Sequence, residues 1–224
     1  MFLVVGAGKF AKHLNHYLSL LEIPFSNWDR SQDPHLIHHK ISEASHILLA
    51  ISDGAIVGFY RKYLEGLDKT VVHFSGALNV EGVIAAHPLM SFGPELYAPQ
   101  VYPRIHFAIT GAALLTAALP GFPNHFSLLA AENKGLYHAM CVMGGNFPVL
   151  LWKKMFSEFA QIGIAPEAAQ IYLETVLANT LRDPESAFTG PLARKDTQTI
   201  QKNLESLEGD AFQKIYLSFV EALK

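Results

Sequence analysis

The sequence begins with a pattern whose residue types and spacing fit a particular piece of chemistry. The apolar run Phe2-Leu3-Val4-Val5 leads directly into Gly6-Ala7-Gly8-Lys9-Phe10-Ala11, which reads G-x-G-x-x-A. In a strand–turn–helix unit each small residue has a mechanical reason. The first glycine permits the tight turn, the second lets a pyrophosphate approach the backbone, and the small third residue lets the helix lie close on the sheet. The helix N-terminus then offers unpaired N–H groups and the positive end of its dipole to phosphate. The pattern predicts a dinucleotide site built from Gly6, Ala7, Gly8, Lys9, Phe10 and Ala11, with an ordinary glycine-rich turn as the alternative.

A second group of residues bears on which dinucleotide. The next strand, about Phe25 to Trp28, ends at Asp29-Arg30-Ser31, about 20 residues beyond the glycines, where the adenosine ribose is read. A carboxylate there accepts from both ribose hydroxyls and favours NAD, whereas a guanidinium pairs with a 2′-phosphate and favours NADP. The chain has both. Arg30 with Ser31 offers a fork and a hydroxyl together, so NADP is the expected cofactor and NAD the alternative; a solvated turn is the plain structural reading.

A third group falls after later apolar runs, at the sheet edge where ligands of such folds sit. Ile51-Ser52-Asp53 is placed to pass the nicotinamide ribose. His73-Phe74-Ser75-Gly76-Ala77 and His87-Pro88-Leu89-Met90-Ser91-Phe92 follow the next two strands. His73, Ser75 and His87 are the groups expected to face a reacting carbon, because an imidazole exchanges protons near neutrality. With eleven histidines in the chain, packing and surface roles must account for most of them.

The elements that would position these residues alternate through the first half. Helical spacing runs over Lys9–Leu21, Pro34–Ala44 and Asp53–Glu65, the last capped by Asp53 and ended by Gly66. Apolar strands are read at His46–Ile51, Thr70–Phe74, Val83–Ala86 and Ile105–Ile109, with a last strand ending about Leu128–Glu132. Continuous apolar strands alternating with helices predict a parallel sheet covered on both faces. From Lys134 the pattern is helical throughout, over 134–143, 148–161, 166–181, 197–207 and 210–223. The expected fold class is α/β, a Rossmann-like parallel-sheet domain (1–128) followed by a smaller all-helical domain (129–224).

Composition narrows the function classes. The 224 residues are half hydrophobic, with a net charge of −3 and no basic run, so no electrostatic feature recommends nucleic acid or an anionic membrane. The single cysteine, Cys141, forms no internal disulfide and suits a reducing compartment. The N-terminal apolar run is too short for a signal or a membrane span, and the expectation is a cytoplasmic protein with no metal.

Taken in order, G-x-G-x-x-A, H-x-S-G-A, H-P-x-x-x-F, a helical Tyr137-His138 with the later Asn146, and Thr189-Gly190-Pro191-Leu192-Ala193-Arg194-Lys195-Asp196 resemble a group of bacterial proteins. These are Rossmann-like proteins with a helical C-terminal domain of unknown function, described as candidate NADP oxidoreductases. The layout is more distantly similar to pyrroline-5-carboxylate reductases and the 6-phosphogluconate dehydrogenase superfamily. The resemblance implies that the helical domain closes the site and builds a homodimer. It also implies that its first helix faces the nicotinamide, with His138 moving the proton, Asn146 polarising the substrate and Lys134 binding it; Arg194 is expected to bind an anionic substrate, with a structural Arg194–Asp196 pair as the alternative. Asp196 reads as a helix cap. Two departures stand out. Lys195 replaces a glycine, which predicts a different backbone path there. Gly144-Gly145-Asn146-Phe147-Pro148 replaces small helical residues, which predicts a kink or break at roughly 1 kcal/mol for each glycine.

The combined expectation is an NAD(P)-dependent oxidoreductase moving hydride to or from a small carbonyl or imine substrate, with His87, His138 and Asn146 as the chemical groups. A dinucleotide-binding sensor or partner-binding protein without turnover is one alternative. A prephenate-dehydrogenase-like enzyme is another, on the resemblance of the His87-Pro88 segment to H-P-M-F-G-P.

Overall fold

The computed structural model describes residues 1–223, which fall into two compact units, Met1–Val149 and a second beginning at Leu150. The first unit is built on a seven-stranded sheet. Its elements are β1 (Phe2–Val5), α1 (Lys9–Leu20), β2 (Phe25–Trp28), α2 (Leu36–Glu43), β3 (His46–Leu49), α3 (Asp53–Tyr63), β4 (Thr70–His73) and β5 (Ile84–Pro88). They continue with β6 (Phe107–Thr110), a short α4 (Leu115–Ala118), β7 (Phe126–Leu128) and α5 (Lys134–Cys141). Strand order is β2-β1-β3-β4-β5-β6-β7, so the chain moves one way from β1 to β2 and the other way from β1 to β3. That reversal is a topological switch point, and the crevice outside the carboxyl ends of β1 and β3 is where such sheets bind ligands.

Alternation along β1 explains the two-sided core. Phe2 and Val4 face Leu14 and Leu18 of α1 and Leu115 of α4. Leu3 and Val5 face Ile37 and Ile41 of α2 and Ile56 of α3. A strand buried on both faces carries no polar residue, hence the unbroken apolar runs. All four β1 residues are buried, and each such side chain contributes at about 25 cal/mol per Å² of apolar surface removed from water.

The sheet departs from the all-parallel expectation at β6, which pairs with β5 antiparallel, Ala86 against Ile109, while β7 runs parallel to β6. An antiparallel neighbour needs no crossover helix. The segment after Pro88 instead crosses to α1, where His13 bonds the Tyr102 hydroxyl (2.9 Å) and the Gly93 carbonyl (3.1 Å) and Lys12 donates to the Pro94 carbonyl at 2.9 Å. Asn124 ties the same region down. It accepts from Tyr17, whose hydroxyl burial pushes up to about 12, and donates to the Tyr102 and Ile105 carbonyls.

The glycines expected to break the helix widen it instead. Val142–Asn146 forms a π-turn between α5 and α6 (Phe147–Gln161), the one-turn bulge that absorbs an awkward residue without ending the helix. The second unit continues with α7 (Pro166–Arg182), α8 (Pro184–Ala187), α9 (Gly190–Ala193), α10 (Thr197–Ser206) and α11 (Phe212–Ala222). Within it Lys154 pairs with Asp210 and with Glu158, and Asn203 donates to the Tyr216 hydroxyl at 2.9 Å. No helix among the described residues is long and apolar enough to cross a membrane.

Candidate active site

The switch point brings Gly6 against Ala50. Gly6 has φ +129°, and a Cβ on it would stand 2.2 Å from the Ala50 carbonyl oxygen, so contact between two strand ends, as much as the turn, dictates the glycine. Gly8 is different. It precedes α1 with extended backbone, no side chain caps the helix, and a Cβ there would meet nothing within 4 Å. Open space over a bare helix N-terminus fits a diphosphate. Ala11 is fully buried against the sheet. Lys9 and Ala7 are exposed around the turn, and Phe10 packs at a tilt against Phe74 and Phe92 with ring centres 4.6 and 5.1 Å away.

At the end of β2, Asp29 is engaged by its own loop. It accepts from the Ser31 backbone N–H at 2.8 Å, from the Ser31 hydroxyl, and from Gln32 Nε2. These bonds from Ser31 hold its carboxyl below the usual range. Both carboxylate oxygens have partners, and Arg30 is left exposed beside them.

The polar wall follows from register. Val5, Leu49 and His73 align across β1, β3 and β4, and His73 pairs with Ala85 of β5, so the residues just beyond them form one lip. The expected cap on α3 is corrected here. Ser52 occupies the capping position without a side-chain bond, and Asp53 is the first helical residue. The Asp53 carboxylate instead accepts from the Ser75 hydroxyl at 2.6 Å, and that hydroxyl accepts from the Ala77 and Leu78 backbone N–H groups. Lys134, expected as a substrate anchor, is 1% exposed and donates to the Ser75 carbonyl at 3.2 Å. Burial lowers its proton affinity, with Asp53 opposing the change. His73 accepts from the Ser75 N–H through Nδ1, while its Nε2 is buried with no partner among the described residues.

His87 and His138 meet around one glycine. Their rings are 6.1 Å apart and nearly perpendicular. A Cβ on Gly76 would lie 2.6 Å from His138 Nδ1 and 3.1 Å from His87 Nε2, so only glycine lets the two imidazoles close over that point. His87 Nδ1 shares a 2.8 Å hydrogen bond with the Tyr137 hydroxyl. Burial first, then the charges of His138 and Lys134, bring His87 down to about 4, and it is neutral at pH 7. Together with Ser75, Asp53, Phe10, Ile51, Phe74 and Phe92, His87 lines a cavity of about 210 Å³.

Among the other expected residues, Asn146 does not line this cavity. Asn146 is exposed on the π-turn. Arg194 is exposed in the second unit. Asp196 caps α10, accepting from the Thr199 N–H (3.0 Å) and hydroxyl (2.7 Å). Lys195 takes φ +55°, the left-handed conformation a glycine favours. Tyr137 and Gly76 were given no role from the sequence. The signal was present: Tyr137 is three residues after Lys134 on the same helix, and Gly76 follows Ser75.

Comparison with solved structures gives full-length similarity. The candidate NADP oxidoreductase BF3122 of Bacteroides fragilis matches with TM-score 0.79 at 18% identity, covering 99% of this chain and 96% of that one. Protein TM1727 of Thermotoga maritima matches with TM-score 0.68 at 22% identity, covering 100% and 96%. A reductive aminase of Aspergillus terreus, solved with NADPH and ethyl levulinate, matches with TM-score 0.62 at 13% identity, covering 99% and 91%. These likenesses show a shared Rossmann-like fold with a helical continuation. No curated protein matches the sequence. Residues 105–222, from the end of the crossing segment through α11, match the family described as domain of unknown function DUF2520. The match spans more than half of the chain, and the protein therefore belongs to the DUF2520 family.

Proposed function

We propose that the protein is an NAD(P)-dependent oxidoreductase acting on a small carbonyl or imine substrate. The observation that carries this reading is one cavity joining the start of α1 to a polar wall, since Phe10 lines it two residues after Gly8 and Asp53, Ser75 and His87 line it opposite. Gly6 to Ala11 hold the diphosphate, Arg30 faces the adenosine ribose, and Ile51, Ser52, Asp53 and Ser75 border the nicotinamide. The nicotinamide, when bound, supplies or takes the hydride. Around it the chain's own groups orient the substrate and move the proton: neutral His87 offers a hydrogen bond to the polar atom, and His138 exchanges the proton. Asp53 and Lys134 brace Ser75 from either side. Because Asp29 is occupied by Ser31 and Gln32, the free cation Arg30 favours NADP over NAD. The helical unit associates as a homodimer.

Calorimetric titration tests the reading. NADPH is expected to bind more tightly than NADH, and Gly8→Ala, whose Cβ meets nothing within 4 Å, is expected to weaken NADPH at least ~10-fold with an unchanged unfolding temperature. Arg30→Ala is expected to weaken NADPH alone. No heat with either dinucleotide overturns the proposal. Binding without turnover of any carbonyl or imine would favour a second reading as a dinucleotide-responsive binding protein. The observations on that side are Lys134 turned to a backbone carbonyl and Asn146 exposed to solvent.

A further inference from the structure

Tyr137 is the least explained group near the cavity. It is half-buried on α5, one residue before His138, with its ring edge-on to His87 at 5.5 Å and 84°. Its hydroxyl lies 2.8 Å from His87 Nδ1. The bond between them can run in either direction. A phenol O–H is a strong donor and a poor acceptor, and an imidazole nitrogen is a strong acceptor. The arrangement that matches strong donor to strong acceptor has the Tyr137 O–H donating to His87 Nδ1. Burial keeps the phenol protonated, raising Tyr137 above its ordinary value.

We propose that Tyr137 is a positioning residue whose O–H fixes His87 as the Nε2–H tautomer, making this histidine a neutral N–H donor rather than an acid or a base. Nε2 lies on the ring edge bordering Gly76, and His87 lines the cavity. The group presented there recognises a lone pair. The functional consequence rests on the oxidoreductase reading: the favoured substrate carries a carbonyl oxygen or a neutral imine nitrogen at that point, and a protonated amine is disfavoured. A neutral imidazole whose tautomer is held by its other nitrogen can polarise an acceptor without transferring a proton. The groups facing His87 are Tyr137, His138 and Lys134 from α5 and Asp53 from α3. Lys134 and a protonated His138 oppose a charge on the ring, and the Asp53 carboxylate favours one.

Long-range proton–nitrogen NMR on the full chain at pH 7 reads the tautomer directly, with His87 assigned by its loss in His87→Gln. The expected spectrum shows protonated Nε2 and bare Nδ1 in a single form. In Tyr137→Phe the second tautomer is expected at more than about one tenth of the population, with the His87 titration midpoint moving up, because the bond removed favours the neutral ring. A wild-type spectrum with Nδ1 protonated overturns the proposal, and so does a Tyr137→Phe spectrum unchanged in tautomer and midpoint. The wild-type measurement decides even if the variant does not fold. The spectra require no dinucleotide, so a chain that binds neither NADPH nor NADH removes the oxidoreductase reading while leaving the tautomer to be judged separately.

Discussion

His73 lies wholly inside the sheet and His87 at its carboxyl edge, and burial is the main reason both stand at about 4. The unfolded chain holds these rings near 6.5. Above pH 6.5 both states are neutral and the full stability is present. Between 6.5 and about 4 the unfolded chain binds protons that the folded chain refuses, so stability falls as pH falls, and below 4 the loss is complete. A fully buried ring accounts for up to roughly 3 kcal/mol on this basis, and His87, beside a cavity, for less. Urea midpoints measured from pH 7.5 to 4.5 are expected to decline, with a shallower decline in His73→Leu; parallel declines would refute the assignment. Residue types alone had marked His73, Ser75 and His87 as polar groups at strand ends, and they are. Types alone could not say that Ser75 links Asp53 to Lys134, since those three residues come from α3, the β4 loop and α5.

The turn after α9 shows an element whose form overrides its sequence. The Asp196 N–H donates to the Pro191 carbonyl at 2.9 Å and the Lys195 N–H to that of Leu192 at 3.2 Å. This is the paired bonding of a Schellman stop, with the left-handed residue at Lys195. Asp196 then begins α10. A lysine in this conformation costs about 1 kcal/mol relative to glycine, so Lys195→Gly is expected to raise the unfolding free energy by roughly that amount, part of it offset by the greater freedom of an unfolded glycine. Chemical denaturation checks it, and a destabilised variant would mean that the lysine side chain contributes where no partner is seen. The π-turn at Val142–Asn146 belongs to the same lesson. Local propensity placed the disturbance correctly, but whether a helix breaks, kinks or widens depends on what holds its two ends.

The two units of the molecule differ sharply in how much they bury. The sheet unit has apolar cores on both faces, whereas in the second unit Ala169 alone is buried among the described residues. Along α7, Ile171, Leu177 and Leu181 are 66%, 50% and 78% exposed, more apolar surface than a lone helical unit ordinarily leaves to water. Association through these helices, as proposed, predicts an unfolding temperature that rises with protein concentration. It also predicts a sedimenting mass twice the 24.7 kDa of the chain, reduced to the single-chain value by Leu181→Glu. A constant 24.7 kDa at all concentrations would remove the dimer.

The order of strands and helices, the glycine turn before α1 and the helical second half were written in local sequence, because periodicity and glycine placement act over a few residues. Strand direction beyond β5, the bracing of Ser75 and the meeting of two histidines over Gly76 were decided by folding. Each depends on contacts between segments tens of residues apart, where distance along the chain carries no information about distance in space.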